Sequence, residues 1–219
     1  MRKVFQAELH QVGEQLVEIS RLVTEAIEKA NTAFTTADTE LAQDVIASDA
    51  RIDFLQNNLD ERAIEILALQ GPVASDLRVI VASLRMSASL ERMGDLARHI
   101  AQLARMRYPE PVVPEHLRAT FDDFAEQDIA ISRLLTQLLD TRDLDLARDI
   151  SRRNDRVNEL HAGIFKAIAA PDFSASPATA VDVALASRYF ERFADHGISV
   201  SRKVTYLVTG EWTPNGDAV

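Results

Sequence analysis

The sequence predicts an all-α protein made of two pseudo-symmetric three-helix bundles, a duplicated repeat with spectrin-like packing. Three observations carry that expectation. Apolar residues recur every three or four positions through most of the 219-residue chain, the rhythm of helices with one buried stripe. Only 7 Gly and 7 Pro interrupt them, too few for a sheet with many turns. One phrase is also written twice. Residues 90–101 read Leu-Glu-Arg-Met-Gly-Asp-Leu-Ala-Arg-His-Ile-Ala, and residues 190–200 read Phe-Glu-Arg-Phe-Ala-Asp-His-Gly-Ile-Ser-Val. Self-similarity at this distance is the mark of a repeated structural unit.

The first predicted helix covers residues 3–34, with Leu9, Val12, Leu16, Ile19, Val23 and Ile27 as its stripe. The second covers 38–70, where Leu41, Val45, Ser48, Ile52, Leu55, Leu59, Ala63 and Ile66 keep a near-heptad rhythm suited to nearly parallel packing. Gly71-Pro72 ends it: Gly suits the left-handed residue after a helix, and Pro suits the first turn of the next. Ile80, Leu84, Leu90, Met93, Ala97, Ile100 and Ala104 mark the third helix. Tyr108-Pro-Glu-Pro-Val-Val-Pro-Glu115 cannot continue a helix and reads as the linker between units 1–107 and 116–213. Helices then follow at 116–140, 143–169 and 178–209, the last entered through Ser176-Pro177 and closed by Gly210. Residues 41–55 align without gaps on 146–160, with Leu41/Leu146, Ala42/Ala147, Asp44/Asp149, Arg51/Arg156 and Leu55/Leu160 identical.

A net charge of −10 argues against nucleic acid as a partner, since phosphates call for a basic face. With no Cys, thiolate metal sites, disulfides and cysteine nucleophiles are excluded, and a reducing cytoplasm fits. The first ten residues turn polar too soon for a signal peptide. No uncharged apolar run approaches the roughly 18 residues of a membrane span. The expectation is a soluble cytoplasmic chain that meets a membrane only through partners.

The repeated phrase places two carboxylates four residues apart on one helix face, Glu91/Asp95 and Glu191/Asp195. Arg92 and Arg192 follow the Glu, and the small residues Gly94 and Ala194 precede the Asp. The second helix adds Asp49 and Asp53. If it runs antiparallel to the third across Gly71-Pro72, all four acids of the first half share one level of the bundle. Two readings stay open. The acids can be ordinary members of a solvated stripe with Arg85, Arg92, Arg98, His99 and Gln102, or an outward-facing cluster that holds a cation. An all-oxygen set suits Mg²⁺, Mn²⁺, Ca²⁺ or iron, and His99 or His196 would shift the choice toward iron or zinc. Gly94 fits either a ligand or a tight helix–helix approach. In the second half Asn154 and Asn158 stand where the first has Asp49 and Asp53, so a second site would be poorer. Arg105-Met-Arg107 and Arg152-Arg153 read as solvated helix ends. No Glu-x-x-His pair, phosphate loop, Gly-x-Ser-x-Gly or His-Glu-x-x-His is present.

The two Glu-Arg-x-small-Asp phrases, Asp49-x-x-x-Asp53, Gln70-Gly-Pro-Val-Ala-Ser-Asp-Leu-Arg78 and the closing Tyr206-Leu-Val-Thr-Gly210 together resemble the PhoU family of bacterial phosphate-signalling proteins, along the whole chain. The resemblance implies paired three-helix bundles and a homodimer. It implies a non-enzymatic negative regulator linking the ATPase of the high-affinity phosphate ABC transporter to a sensor histidine kinase of a two-component system. It also implies multinuclear iron or zinc, Mg or Mn, or no metal at all, on Asp49, Asp53, Glu91 and Asp95, with Glu191 and Asp195 as a remnant second site; no catalytic residue is implied. The competing readings are a metal-dependent phosphohydrolase and a metal-binding or metal-free helical scaffold.

Overall fold

A computed structural model describes residues 2–72, 74–171 and 173–211. Val73 of the interhelical motif and residue 213, the expected end of the second unit, lie outside the described residues. Six helices follow in the order α1 (Arg2–Thr36), α2 (Thr39–Gln70), α3 (Ser75–Arg107), α4 (Arg118–Thr141), α5 (Leu144–Ile168) and α6 (Pro177–Thr209). One 3-10 turn, Glu115–Leu117, takes the start expected for α4. No strand occurs among the described residues.

The turns repeat as the helices do. Ala37 (φ 54°) and Arg142 (φ 58°) both adopt the left-handed conformation, and each precedes an Asp N-cap. The Asp38 side chain accepts from the Leu41 N–H, and the Asp143 side chain from the Asp145 N–H. Gly71 (φ 54°) ends α2 as expected, because a left-handed residue carries no steric penalty without a Cβ. Ser176 caps α6 through the Thr179 N–H, with Pro177 in the first turn.

Helices α1, α2 and α3 pack on one another, as do α4, α5 and α6. The halves join where α3 lies on α6 and α1 on α4, which leaves α2 and α5 on the outside. Helices α3 and α6 are antiparallel: Arg107, at the end of α3, pairs with Asp182 near the start of α6, and the His99 ring lies 5.2 Å from that of Tyr189. Between α1 and α4, the Ser20 and Thr136 hydroxyls are 2.7 Å apart and Arg133 pairs with Glu28. One hydrophobic core runs through both halves. Phe34 of α1 enters the second half, where its ring meets Phe121 at 5.7 Å and Phe190 at 5.8 Å. Phe124 completes this cluster, stacked on Phe190.

Two sequence expectations are corrected here. In α2 the inward stripe holds Ala42, Val45, Asp49 and Ile52, whereas Ser48 is exposed and Leu41 half-buried. Arg107 is no solvated helix end, because its guanidinium meets the buried Asp182 carboxylate with Nε 2.5 Å from Oδ2.

Duplication also exposes a misfit. Counting from the equivalent turns, Asp128 of α4 occupies the position of Val23 in α1, and both are fully buried. Neither Asp128 oxygen has a hydrogen-bond partner, and burial drives its carboxyl well above the ordinary carboxylate range. A raised folded pKa means that stability is intact below the unfolded value of about 3.9 and falls as pH rises toward the folded pKa. Asp128→Val, the residue of the other half, is expected to raise the urea midpoint at pH 7 by the equivalent of about 1–3 kcal/mol. The gain should shrink toward pH 4; a gain independent of pH would show that ionisation is not the cause.

Candidate functional site

The acids of the first half converge between α2 and α3. Asp49 is buried because it lies on the inward stripe of α2, seven residues after Ala42 and three before Ile52. Glu91 and Asp95, one turn apart on α3, are 22% and 15% exposed, so the cluster is set into the interhelical groove and does not face outward as expected. Asp53 is exposed at its edge. Gly94 makes this approach possible. A Cβ there would stand 2.9 Å from Ile52 Cδ1 and 3.4 Å from Asp49 Oδ1, so the glycine answers to close packing of α2 on α3 beside the acids.

Two arginines of the same helix enter the cluster. Arg98 spans the groove, with Nε 2.5 Å from Asp49 Oδ2 on α2 and Nη2 2.5 Å from Asp95 Oδ1 on α3. The Asp49 contact is an ion pair and not a linear hydrogen bond, since the Nε–H does not point along it. Arg92 approaches Asp95 Oδ2 at 2.7 Å and Glu91 at 3.5 Å from the solvent side. The electrostatics sort accordingly. Burial raises the Asp49 pKa, Arg98 opposes it, and Asp53 and Asp95 add to it. Glu91 is raised by burial and by the neighbouring Asp95, Asp53 and Asp49. For Asp95 burial pushes upward, but Arg98 and Arg92 outweigh it and hold the group below the ordinary range.

The second half repeats the frame with other groups. Arg188 binds Glu191 at 2.6 Å, and Arg192 Nη2 lies 3.4 Å from His196 Nε2. Asn154 occupies the place of Asp49 and is equally buried, but its Oδ1 has no partner. His161 of α5 stands close enough to Glu191 and Asp195 to feel both charges, and its Nδ1 is 3.0 Å from Ser187 Oγ. His99 faces α6, its ring against Tyr189, and burial lowers its pKa.

The same duplicated unit is found in known proteins. The PhoU domain family matches residues 16–104 and 123–204, most of each half. The chain belongs to the PhoU family. A phosphate-specific transport system accessory protein, PhoU homolog 1 of Mycobacterium leprae, is 36% identical over 219 residues, covering 100% of this chain and 98% of its own length. PhoU homolog 2 of Mycobacterium tuberculosis is 36% identical over 96% of this chain and 99% of its own. Among solved structures, PhoU from Pseudomonas aeruginosa superimposes with a TM-score of 0.88 at 28% identity, over 94% of this chain and 100% of that one. The phosphate transport system regulatory protein PhoU from Streptococcus pneumoniae shares the fold, with a TM-score of 0.85 over 96% of this chain and 99% of that one.

The acids that mark the family in this sequence do not by themselves present a ready metal centre. Among the described residues, no group of three or more Asp, Glu or His side chains is disposed to hold an ion. The Asp49 and Asp95 oxygens that would face one carry a guanidinium. A divalent ion does not fit among these residues as they stand. Spacing found the four acids but not Arg98, which looked like one more polar residue of α3. His161 and Arg188 were missed because neither lies in the repeated phrase.

Gly94 gives a direct test of the groove. Gly94→Ala should change stability by less than about 1 kcal/mol, because the gain in helix propensity offsets a small displacement of the mobile Ile52 Cδ1. Gly94→Val should lose about 2–3 kcal/mol by wedging α2 from α3. Equal melting curves for the two variants would refute the close approach.

Proposed function

We propose that this chain is a negative regulator of phosphate uptake and of phosphate-starvation signalling. It acts as a non-enzymatic, cytoplasmic homodimeric adaptor between the ATPase of a phosphate ABC transporter and a sensor histidine kinase. The observation that carries the reading is end-to-end similarity to proteins named as phosphate-specific transport system accessory proteins. Among the described residues no helix is long and apolar enough to cross a membrane. In this reading the transporter performs the sensing step and this chain the relay.

Surface features are consistent with docking. A groove of about 310 Å³ between the start of α3 and the end of α6 is lined by Leu77, Arg78, Val81, Arg85, Lys203 and Tyr206. It gathers three cationic residues on a chain whose net charge is −10. Burial lowers the Lys203 pKa, and Arg85 and Arg202 add to that. Toward the opposite end of the antiparallel pair, Val181 and Leu185 are 57% and 39% exposed on α6. Such a surface suits partners that combine apolar and acidic groups.

The experiment is genetic. Deletion of the gene should raise a phosphate-starvation reporter several-fold in phosphate-replete medium, and the wild-type gene in trans should restore repression. Co-purification from phosphate-replete cells should recover the transporter ATPase and the kinase. An unchanged reporter in the deletion strain would refute the regulatory role.

A further inference from the structure

We propose that Arg98 is the resident counter-cation of the Asp49/Asp95 pair. It does from within the chain what a divalent ion would do from outside, so the first half keeps its acidic cluster together without a metal. The inference rests on the groove between α2 and α3 and not on the regulatory reading above.

The geometry supplies the first argument. Four carboxylates meet in a partly buried groove, where like charges repel more strongly than in water. A bound cation must touch acids of both helices to offset that repulsion. Arg98 does so, with one nitrogen 2.5 Å from Asp49 on α2 and another 2.5 Å from Asp95 on α3. A planar guanidinium with divergent N–H groups suits such bridging of two carboxylates. Arg92 reaches only the α3 acids and is 62% exposed, so it does not tie the two helices.

The second argument comes from the other half and is independent of these distances. By the register of the repeated phrase, the counterpart of Arg98 is Ile198, which is buried. Where the guanidinium is gone, the two aspartates of the outer helix are gone as well, replaced by Asn154 and Asn158. Arginine and aspartates are present together in one copy and absent together in the other. The Asn154 Oδ1, buried without a partner, marks the place where an Arg98-like donor would have stood. Were the first-half acids arranged for an external ion, a fixed cation among them would be a competitor. As an internally neutralised set, they require it.

The test uses the purified full-length chain, freed of metal with EDTA, and titrates it with Mn²⁺ and separately with Zn²⁺. The wild type should melt at the same temperature with and without either ion and show no stoichiometric uptake. Arg98→Ile, the residue of the second half, should melt lower in EDTA and regain stability with Mn²⁺. It should bind the ion at least about tenfold more tightly than wild type, as expected when a unit positive charge leaves the site. That gain should disappear in Arg98→Ile combined with Glu91→Gln and Asp95→Asn. Arg98→Lys, which keeps the charge, should fold and remain indifferent to both ions, and it decides the matter if Arg98→Ile does not fold. Stoichiometric uptake by the wild type that Glu91→Gln/Asp95→Asn abolishes would overturn the proposal. So would metal binding by Arg98→Lys, or an Arg98→Ile protein that folds, melts like wild type in EDTA and gains no affinity.

Discussion

The antiparallel contact of α3 with α6 is the constraint on which the rest of the structure depends. Each three-helix unit buries one set of stripes internally, but α3 and α6 carry apolar residues around most of their circumference, including Leu96, Ala101, Ala186 and Val200. A helix of that kind is stable only when covered on more than one side. Pairing α3 with α6 covers both at once, and α1 against α4 closes the same seam. Gly197 shows how tightly the α6 side is drawn in, since a Cβ there would stand 2.7 Å from Ile131 Cγ2 of α4 and 3.7 Å from Met93 on α3. The Arg107–Asp182 pair fixes the register at one end of the contact. Because Asp182 is only 3% exposed, losing its partner would strand a charge, at a penalty of about 3–5 kcal/mol.

Duplication explains the frame, and divergence explains where each half is specialised. Arg51–Glu18 in the first half reappears as Arg156–Asp123 in the second, at corresponding positions of the outer helix and its neighbour. These exposed pairs contribute little individually and persist as marks of the common ancestor. The interiors have separated further. Phe121, Phe124 and Phe190 stand where the first half has Leu16, Ile19 and Leu90, all buried. The larger rings fill the space that Phe34 shares across the seam. Polar substitutions moved in the same way: Asp128 replaces a valine in one core, and the acid groove has kept its full charge only in the other.

Most of the fold was legible because helix periodicity, the Gly71-Pro72 and Ser176-Pro177 signals and the internal repeat all point to one answer. The five helices whose limits the sequence sets, α1, α2, α4, α5 and α6, fall within about two residues of them, ordinary scatter for frayed ends. The turns at Ala37 and Arg142 were less legible, since left-handed residues there are neither Gly nor Asn and only their Asp N-caps leave a trace. The phase of the α2 stripe was misread for a physical reason. Leu41 and Ser48 sit one position before Ala42 and Asp49, and hydropathy favours Leu over Ala and neutral Ser over charged Asp. A buried carboxylate violates the pattern that periodicity relies on. The sequence trace of Asp49 is Ala42, one heptad before it, alongside the parallel heptad row Val45, Ile52 and Leu59.

The inward position of Asp49 bears on how the acidic phrases work. An acid on a solvated helix face is held by nothing and can accept a passing ion freely. An acid on the inward stripe must be neutralised before the helices can close, whether by a proton, an ion or a side chain. In the first half the chain supplies a guanidinium to Asp49 and Asp95, and Glu91, less directly compensated, is shifted toward its protonated form. In the second half the demand itself is reduced, with two amides in place of two carboxylates and Arg188 on Glu191. The two copies have thus met one electrostatic requirement in different ways: Arg98 of α3 reaches across to Asp49 of α2 as well as to Asp95 of its own helix, whereas Arg188 stays on Glu191 of its own helix. Helix α2 is held to α3 through Arg98, whereas among the described residues no donor reaches the Asn154 Oδ1 of α5. A displacement of an outer helix by a bound partner therefore meets different resistance in the two halves, which gives a nearly symmetric molecule two unequal ends.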